Sequence, residues 1–409
     1  MAEPAERMAS GPRELSPDTK EPQALGAKRK QLLEDESESG SAVHVPIWHS
    51  FFPALIVYPT WSFVMTKTGA WLPAFGSFYP MSVAMLFGSV IAGSMPLGGG
   101  VVAFPVVVLF IHFQAEEGRD FSLLIQSIGM SAASFVILYK KKHLCHTWLI
   151  FSFIICGVQG MLLGFERPLG KRTVTIGFTT TVTCFAMAFF YNKMLSSRKC
   201  EGNEGEVPHV NASPWQILQV KQLQHGRGWQ LFGRQLPLVL TLLVGLFGLV
   251  GGFLSANHGS GADMLAYIFG VFVWNYLIPE PARMSETMMT ASSVVIMTAC
   301  SLAGSLVRVL TGDISDKVFL CWAACTPVVV IGAPLGALFL TEHMTLILRR
   351  GFFVFVVVMF VSMGIWILSD DLMSWLAVSS ALAMTACGLA THFACFVQGP
   401  QVPASVTEV

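Results

Sequence analysis

The sequence predicts an all-α polytopic membrane protein of about eight full transmembrane helices plus two glycine-broken re-entrant units, its halves forming inverted repeats. Three observations carry that prediction. Of the 409 residues, 53% are hydrophobic and only 12% charged, against about 25% charged in a soluble domain. Apolar runs close to the length of a spanning helix, roughly 20 residues, recur from residue 45 to residue 397. Two of these runs, 79–113 and 235–278, exceed one span, and a glycine-rich stretch interrupts each.

Taken in order, residues 1–44 are rich in Glu, Ser, Pro, Lys and Arg and predict a disordered N-terminal tail. The tail lacks the short apolar core and cleavage site of a signal peptide near Met1. Full spans are expected at 45–65, 121–139, 144–164, 173–194, 287–309, 318–340, 352–369 and 372–397. The polar segment 195–234 reads as a cytoplasmic linker loop between a first membrane half, 45–194, and a second, 235–397, with a C-terminal tail at 398–409.

The placement of lysine and arginine sets the orientation. If each broken unit enters and leaves on one side, the tail with Lys28, Arg29 and Lys30, the cluster Lys140–Lys142, the linker loop and Arg349–Arg350 all become cytoplasmic. The outer side then collects Glu116, Glu117, Asp120, Asp313, Asp316, Asp370 and Asp371, with Arg167, Lys171 and Arg172 as the dissent. Both termini are cytoplasmic on this reading, in a multi-pass protein of the plasma membrane. The unit 79–113 opens from outside and 235–278 from inside, so the halves are inverted.

The first break reads "MPLGGGVVAF" (Met95–Phe104), and its counterpart reads "NHGSGADMLA" (Asn257–Ala266). Each is followed at similar spacing by a helix of small residues, "GMSAASFVILY" in the first half and "MMTASSVVIMT" in the second. Corresponding interruptions in two inverted halves point to a transporter binding site near the midplane. Backbone leaving helical geometry at membrane depth survives only where it is buried in protein or lines a watery cavity. Glycine there permits unusual φ values and close ligand approach. The helices restarting at Val101 and near Ala262 would aim free N–H groups at the break, an anion site without a buried arginine.

Two glycine-rich breaks, each followed by a Ser/Thr-Ala-rich helix, resemble the sulfite exporter TauE/SafE family of anion carriers. The stretch from Pro327 to Gly364, "PVVVIGAPLGALFLTEHMTLILRRGFFVFVVVMFVSMG", resembles the end of that family's second repeat. The resemblance spans roughly residues 79–400 and implies transport of sulfite, thiosulfate or small organosulfonates. Where the family has Gly-Gly-Gly in the second break, this chain carries "HGSGAD", with His258 and Asp263.

The candidate substrate-binding residues are Ser94, Pro96, Gly98, Gly99, Gly100, Ser131, Asn257, His258, Gly259, Ser260, Gly261 and Thr290. Glycines would expose backbone, while Ser, Thr and Asn would offer short neutral donors to an oxyanion. Ionisable groups inside a membrane are costly and mark ion or proton paths, so Asp263 and His258 are the candidate proton-coupling residues. The competing readings are a helix N-cap for Asp263 and a satisfied core histidine for His258. Arg283 and Arg308 lie near expected helix ends and would snorkel to the interface.

No enzyme, cofactor or metal motif emerges. The nine cysteines mostly lie in apolar runs without CxxC spacing. "GSGAD" lacks the Gly-x-Gly-Asp spacing of intramembrane aspartyl proteases, because Ala262 intervenes. A formal net charge of +0 suggests no nucleic-acid partner. The expected partners are a small anion and the lipid bilayer, with a PDZ-domain protein at Thr407, Glu408 and Val409, whose Ser/Thr-x-apolar form suits strand addition. The alternative class is a non-transporting membrane receptor or scaffold recruiting partners through its C-terminus. Paired breaks separate the two, because a receptor needs none.

Overall fold

The computed structural model describes residues 46–100, 103, 106–107, 111–170, 173–174, 177–178, 180–182, 185–186, 230–231, 234–277, 283–312 and 314–340. The chain divides into Met1–Pro46 and Ile47–Val409, and every element below belongs to the second unit. The expected spans 352–369 and 372–397, the 1–44 tail and the Thr407–Val409 terminus lie outside the described residues, as does most of the 195–234 loop.

The described helices are α1 (Phe52–Thr68), α2 (Trp71–Ser94), α3 (Ala115–Lys140), α4 (Thr147–Glu166), α5 (Leu236–His258), α6 (Ala262–Ile268), α7 (Glu286–Thr311) and α8 (Asp316–Leu338). The fold is all-α, apart from a two-residue antiparallel pairing of Gln230–Leu231 with Arg234–Gln235 ahead of α5. Among the described residues, six helices are long and apolar enough to cross a membrane: α2, α3, α4, α5, α7 and α8. The expected span 45–65 becomes a 3₁₀ turn, Ile47–Phe51, followed by the 17-residue α1. The described residues between 173 and 186 are all helical.

Local chemistry sets the helix ends. A capping box joins Gln114 and Glu117 at the start of α3. Ser285 Oγ accepts the Met288 N–H at 3.2 Å, and Ser315 Oγ accepts the Val318 N–H at 3.4 Å. Gly69 (φ 65°) and Gly312 (φ 71°) close α1 and α7 in the left-handed conformation. Pro327, inside α8, leaves the Ala323 carbonyl without its helical donor. Trp61 Nε1 on α1 donates to that oxygen at 2.8 Å, and Ser82 Oγ on α2 donates to the Ala324 carbonyl at 2.9 Å. Neighbouring helices thus satisfy the proline gap, as a lipid setting demands.

Two glycine-lined seams join the halves. A Cβ at Gly93 would fall on the Ala333 carbonyl oxygen, one at Gly336 on that of Val90, and one at Gly332 on Ser89 Oγ. Ser82 meets Ala324 and, one turn and more further along, Ser89 meets Gly332, so α2 and α8 run parallel. In the same way, a Cβ at Gly160 would fall on the Leu249 carbonyl oxygen and one at Gly252 on that of Gly157. A Cβ at Gly248 would lie 3.0 Å from the Phe153 carbonyl oxygen and one at Gly164 would lie 2.9 Å from that of Phe253, so α4 and α5 also run parallel. Small residues at such spacing let backbones approach where lipid offers no hydrophobic drive. Each half thus packs the first limb of its broken unit on a helix of the other half.

Helix α3 runs parallel to α8. Ser315 Oγ donates to Glu117 Oε1 at 3.2 Å at one end. At the other, Lys141 Nζ donates to the carbonyls of Ala337 and Leu338, both at 3.1 Å, and of Leu340 at 2.9 Å. That lysine serves the carbonyls left open where α8 ends, and burial there lowers its pKa below the ordinary lysine value. Helix α7 runs antiparallel to α3, with Ser134 opposite Val294 and Thr298 and Asp120 opposite Arg308. Leu72, Phe87, Phe151 and Leu310 stay largely exposed on the outer face, where lipid would cover them.

Candidate functional site

The first break begins where Pro96 forbids α2 to continue. A residue before proline is driven from helical to extended backbone, and Met95 takes φ −130° and ψ 156°. Helix returns at Gly99, two residues earlier than the Val101 expected from sequence. The limb before this break is also longer than a half-helix, since α2 has 24 residues.

The second break uses torsion instead. Gly259 (φ 84°) and Gly261 (φ 150°) occupy backbone space that side-chain-bearing residues avoid. Ser255 Oγ accepts the Ala262 N–H at 2.9 Å, which anchors the restarting helix. That helix, α6, passes into a π-helical turn, Phe269–Trp274.

The two breaks meet against the middle of α3. The Gly98 N–H donates to Asp263 Oδ2 across the molecule, and the Gly261 N–H donates to Asp263 Oδ1 at 3.3 Å. Gln126 Nε2 donates to the Gly259 carbonyl and to Ser122 Oγ, both at 2.7 Å. Ser122 Oγ in turn donates to the Gly259 carbonyl at 3.0 Å. The fit around these glycines is close. A Cβ at Gly98 would fall on Gln126 Oε1 and 3.0 Å from Asp263 Oδ2, and one at Gly100 on Ser122 Oγ and Gln126 Nε2. Gly99 differs, because a Cβ there would make only ordinary contacts at 3.5 Å or more. Beside Gly99 lies a cavity with room for about one water molecule, lined by Met85, Ser89, Gln126 and Met130 among others.

Among the described residues, several buried polar atoms at this crossing have no hydrogen-bond partner: Gln126 Oε1, Ser260 Oγ, and both ring nitrogens of His258. The His258 ring stands edge-on to Phe178, with centroids 5.3 Å apart. Native structures pair almost all such atoms, so a cluster of exceptions calls for an explanation. Asp263 is fully buried, and no lysine or arginine among the described residues forms an ion pair with it.

The structure therefore brings Gly98, Gly100, Gly259, Gly261 and Asp263 into one contact network, with His258 and Ser260 beside it. Other candidates stand apart. The Ser94 hydroxyl donates to the Val90 carbonyl at 2.8 Å, and that of Ser131 to the Ser127 carbonyl at 2.5 Å. Both are bonds within their own helices. Asn257 uses both ends of its amide structurally, accepting from the Leu169 N–H at 2.8 Å and donating to the Phe253 carbonyl at 2.9 Å. Thr290 is buried on α7.

Arg308, expected to snorkel, instead pairs with Asp120, its Nη2 lying 2.8 Å from Oδ2, while Arg119 Nε lies 2.9 Å from Oδ1. Asp120 is itself buried. The sequence reading also missed Ser122, Gln126 and Ser255. A serine and a glutamine four residues apart in an otherwise apolar helix were the available signal, since polar side chains at membrane depth need partners.

A model of the family described as "Sulfite exporter TauE/SafE" matches residues 81–363, a span covering both breaks and well over half of the chain. No match was found among curated proteins or among solved structures. The matched span holds every member of the crossing, so the chain belongs to the sulfite exporter TauE/SafE family, a family of membrane transporters.

Proposed function

We propose that this protein is a secondary carrier for a small sulfur-containing anion, such as sulfite, thiosulfate or an organosulfonate. The meeting of two broken helices against α3 is the single observation that supports this most. Backbone N–H groups from both halves converge there on one carboxylate, beside buried polar atoms that lack partners among the described residues. A small oxyanion could use the same donors. Asp263 or His258 is the proposed proton-coupling group.

The two parallel glycine seams suit alternating access. Each seam joins one half to the other, so sliding along both would move the halves about a fixed crossing. The one-water cavity beside Gly99 is too small for an oxyanion, so opening must precede binding on this reading.

The test is uptake of labelled sulfite, thiosulfate and taurine into proteoliposomes, with and without a pH gradient. Saturable uptake of at least one anion is expected, stimulated by the gradient. Absence of flux for all three would contradict the carrier reading.

A further inference from the structure

The feature that the carrier reading leaves unexplained is Asp263 itself. A site built to hold an anion already contains a buried carboxylate, seated on the donors an incoming oxyanion would need. With no cation paired to it, that charge would repel a second anion through a low-dielectric interior. A plain N-cap does not account for its reach, because Asp263 also bridges to Gly98 in the opposite half, 165 residues away in sequence.

Resting on the carrier reading, we propose that Asp263 is a tethered occupant of the substrate's own donors, so that a singly charged oxyanion enters only as Asp263 takes up a proton. In this step a proton from solution bonds to one carboxylate oxygen. The Gly98 and Gly261 N–H groups are released and then donate to two oxygens of the incoming anion. The site carries one negative charge before and after, which selects a monoanion bearing at least two oxygens over a dianion. Transport of one such anion with one proton is electroneutral.

The groups facing Asp263 leave it as the group whose charge changes. From α5 comes His258, whose Cε1 lies 3.5 Å from where a Gly261 Cβ would sit. From α7 comes the Cys300 thiol, within electrostatic reach of the carboxylate. Helix α3 presents the neutral Ser122 and Gln126, with Arg119, Asp120 and Arg308 paired together nearer its start. Tyr267 lies one turn further along α6.

The experiment is binding of methanesulfonate, which holds no proton near neutral pH, to the purified full chain in lightly buffered detergent solution. Wild type is expected to take up one proton per anion bound. Its affinity should fall about tenfold for each pH unit above the point where Asp263 ionises. Asp263→Asn should bind without proton uptake and without that pH dependence, and its flux in proteoliposomes should respond to membrane potential. His258→Gln, which keeps the carboxylate, should retain the proton uptake. Binding by wild type without proton uptake overturns the proposal and leaves the carrier reading standing. So does a folded Asp263→Asn that keeps the wild-type pH dependence. Because proton uptake is read on wild type alone, the test survives a variant that fails to fold. If wild type binds none of methanesulfonate, sulfite and thiosulfate at any pH, the carrier reading falls and this inference with it.

Discussion

The two breaks reach the same place by different means. In the first, Pro96 ends the helix and the glycines serve space: Gly98, Gly99 and Gly100 are absent from the positive-φ residues, yet a Cβ at Gly98 or Gly100 would push Gln126, Ser122 or Asp263 aside. In the second, Gly259 and Gly261 serve torsion, and the side chains His258, Ser260 and Asp263 carry the chemistry. The first break supplies bare backbone, and the second supplies the charge that backbone holds. The two breaks need not be chemically equal: one shapes the crossing and the other carries its ionisable side chains.

Substitutions that separate space from torsion sharpen this contrast. The largest effect is expected at Gly98→Ala, whose methyl would displace Gln126 and Asp263 together. A misplacement of about 1 Å in a working site costs about 100-fold, so flux should fall by about that factor. Gly261→Ala is expected to act through backbone strain, of order 1–3 kcal/mol, lowering the melting temperature of the detergent-solubilised protein more clearly than Gly98→Ala does. Gln126→Leu removes one of two donors to the Gly259 carbonyl while Ser122 remains. It should cost about 1 kcal/mol in the same thermal measurement. Gly99→Ala should be the mildest, within about 0.5 kcal/mol and with flux close to wild type. Equal losses at Gly98 and Gly99 would break the distinction between the two glycines.

Much of this was legible in the sequence because it depends on local physics. Span lengths follow from hydropathy, and α3, α4, α7 and α8 lie within a few residues of expectation. Pro96 and the glycine clusters announce interruptions wherever they occur. What the sequence hid was facing. Ser94 and Ser131 have the right chemistry, but their hydroxyls satisfy carbonyls of their own helices. Gln126 reads as one polar residue in an apolar helix, and its partner Gly259 is 133 residues away. The return to helix at Gly99 was missed because glycine is a poor helix former, and tertiary packing against α3 outweighs that preference here.

The central claim is that the two breaks form a single anion site whose geometry depends on bare backbone at Gly98, where a side chain would displace Gln126 and crowd Asp263. The measurement that tests it most directly is labelled-sulfite flux in proteoliposomes of wild type, Gly98→Ala and Gly99→Ala at matched reconstitution. Saturable flux in wild type and Gly99→Ala, with about 100-fold loss in a folded Gly98→Ala, is the expected result. Wild-type rates in Gly98→Ala would contradict it.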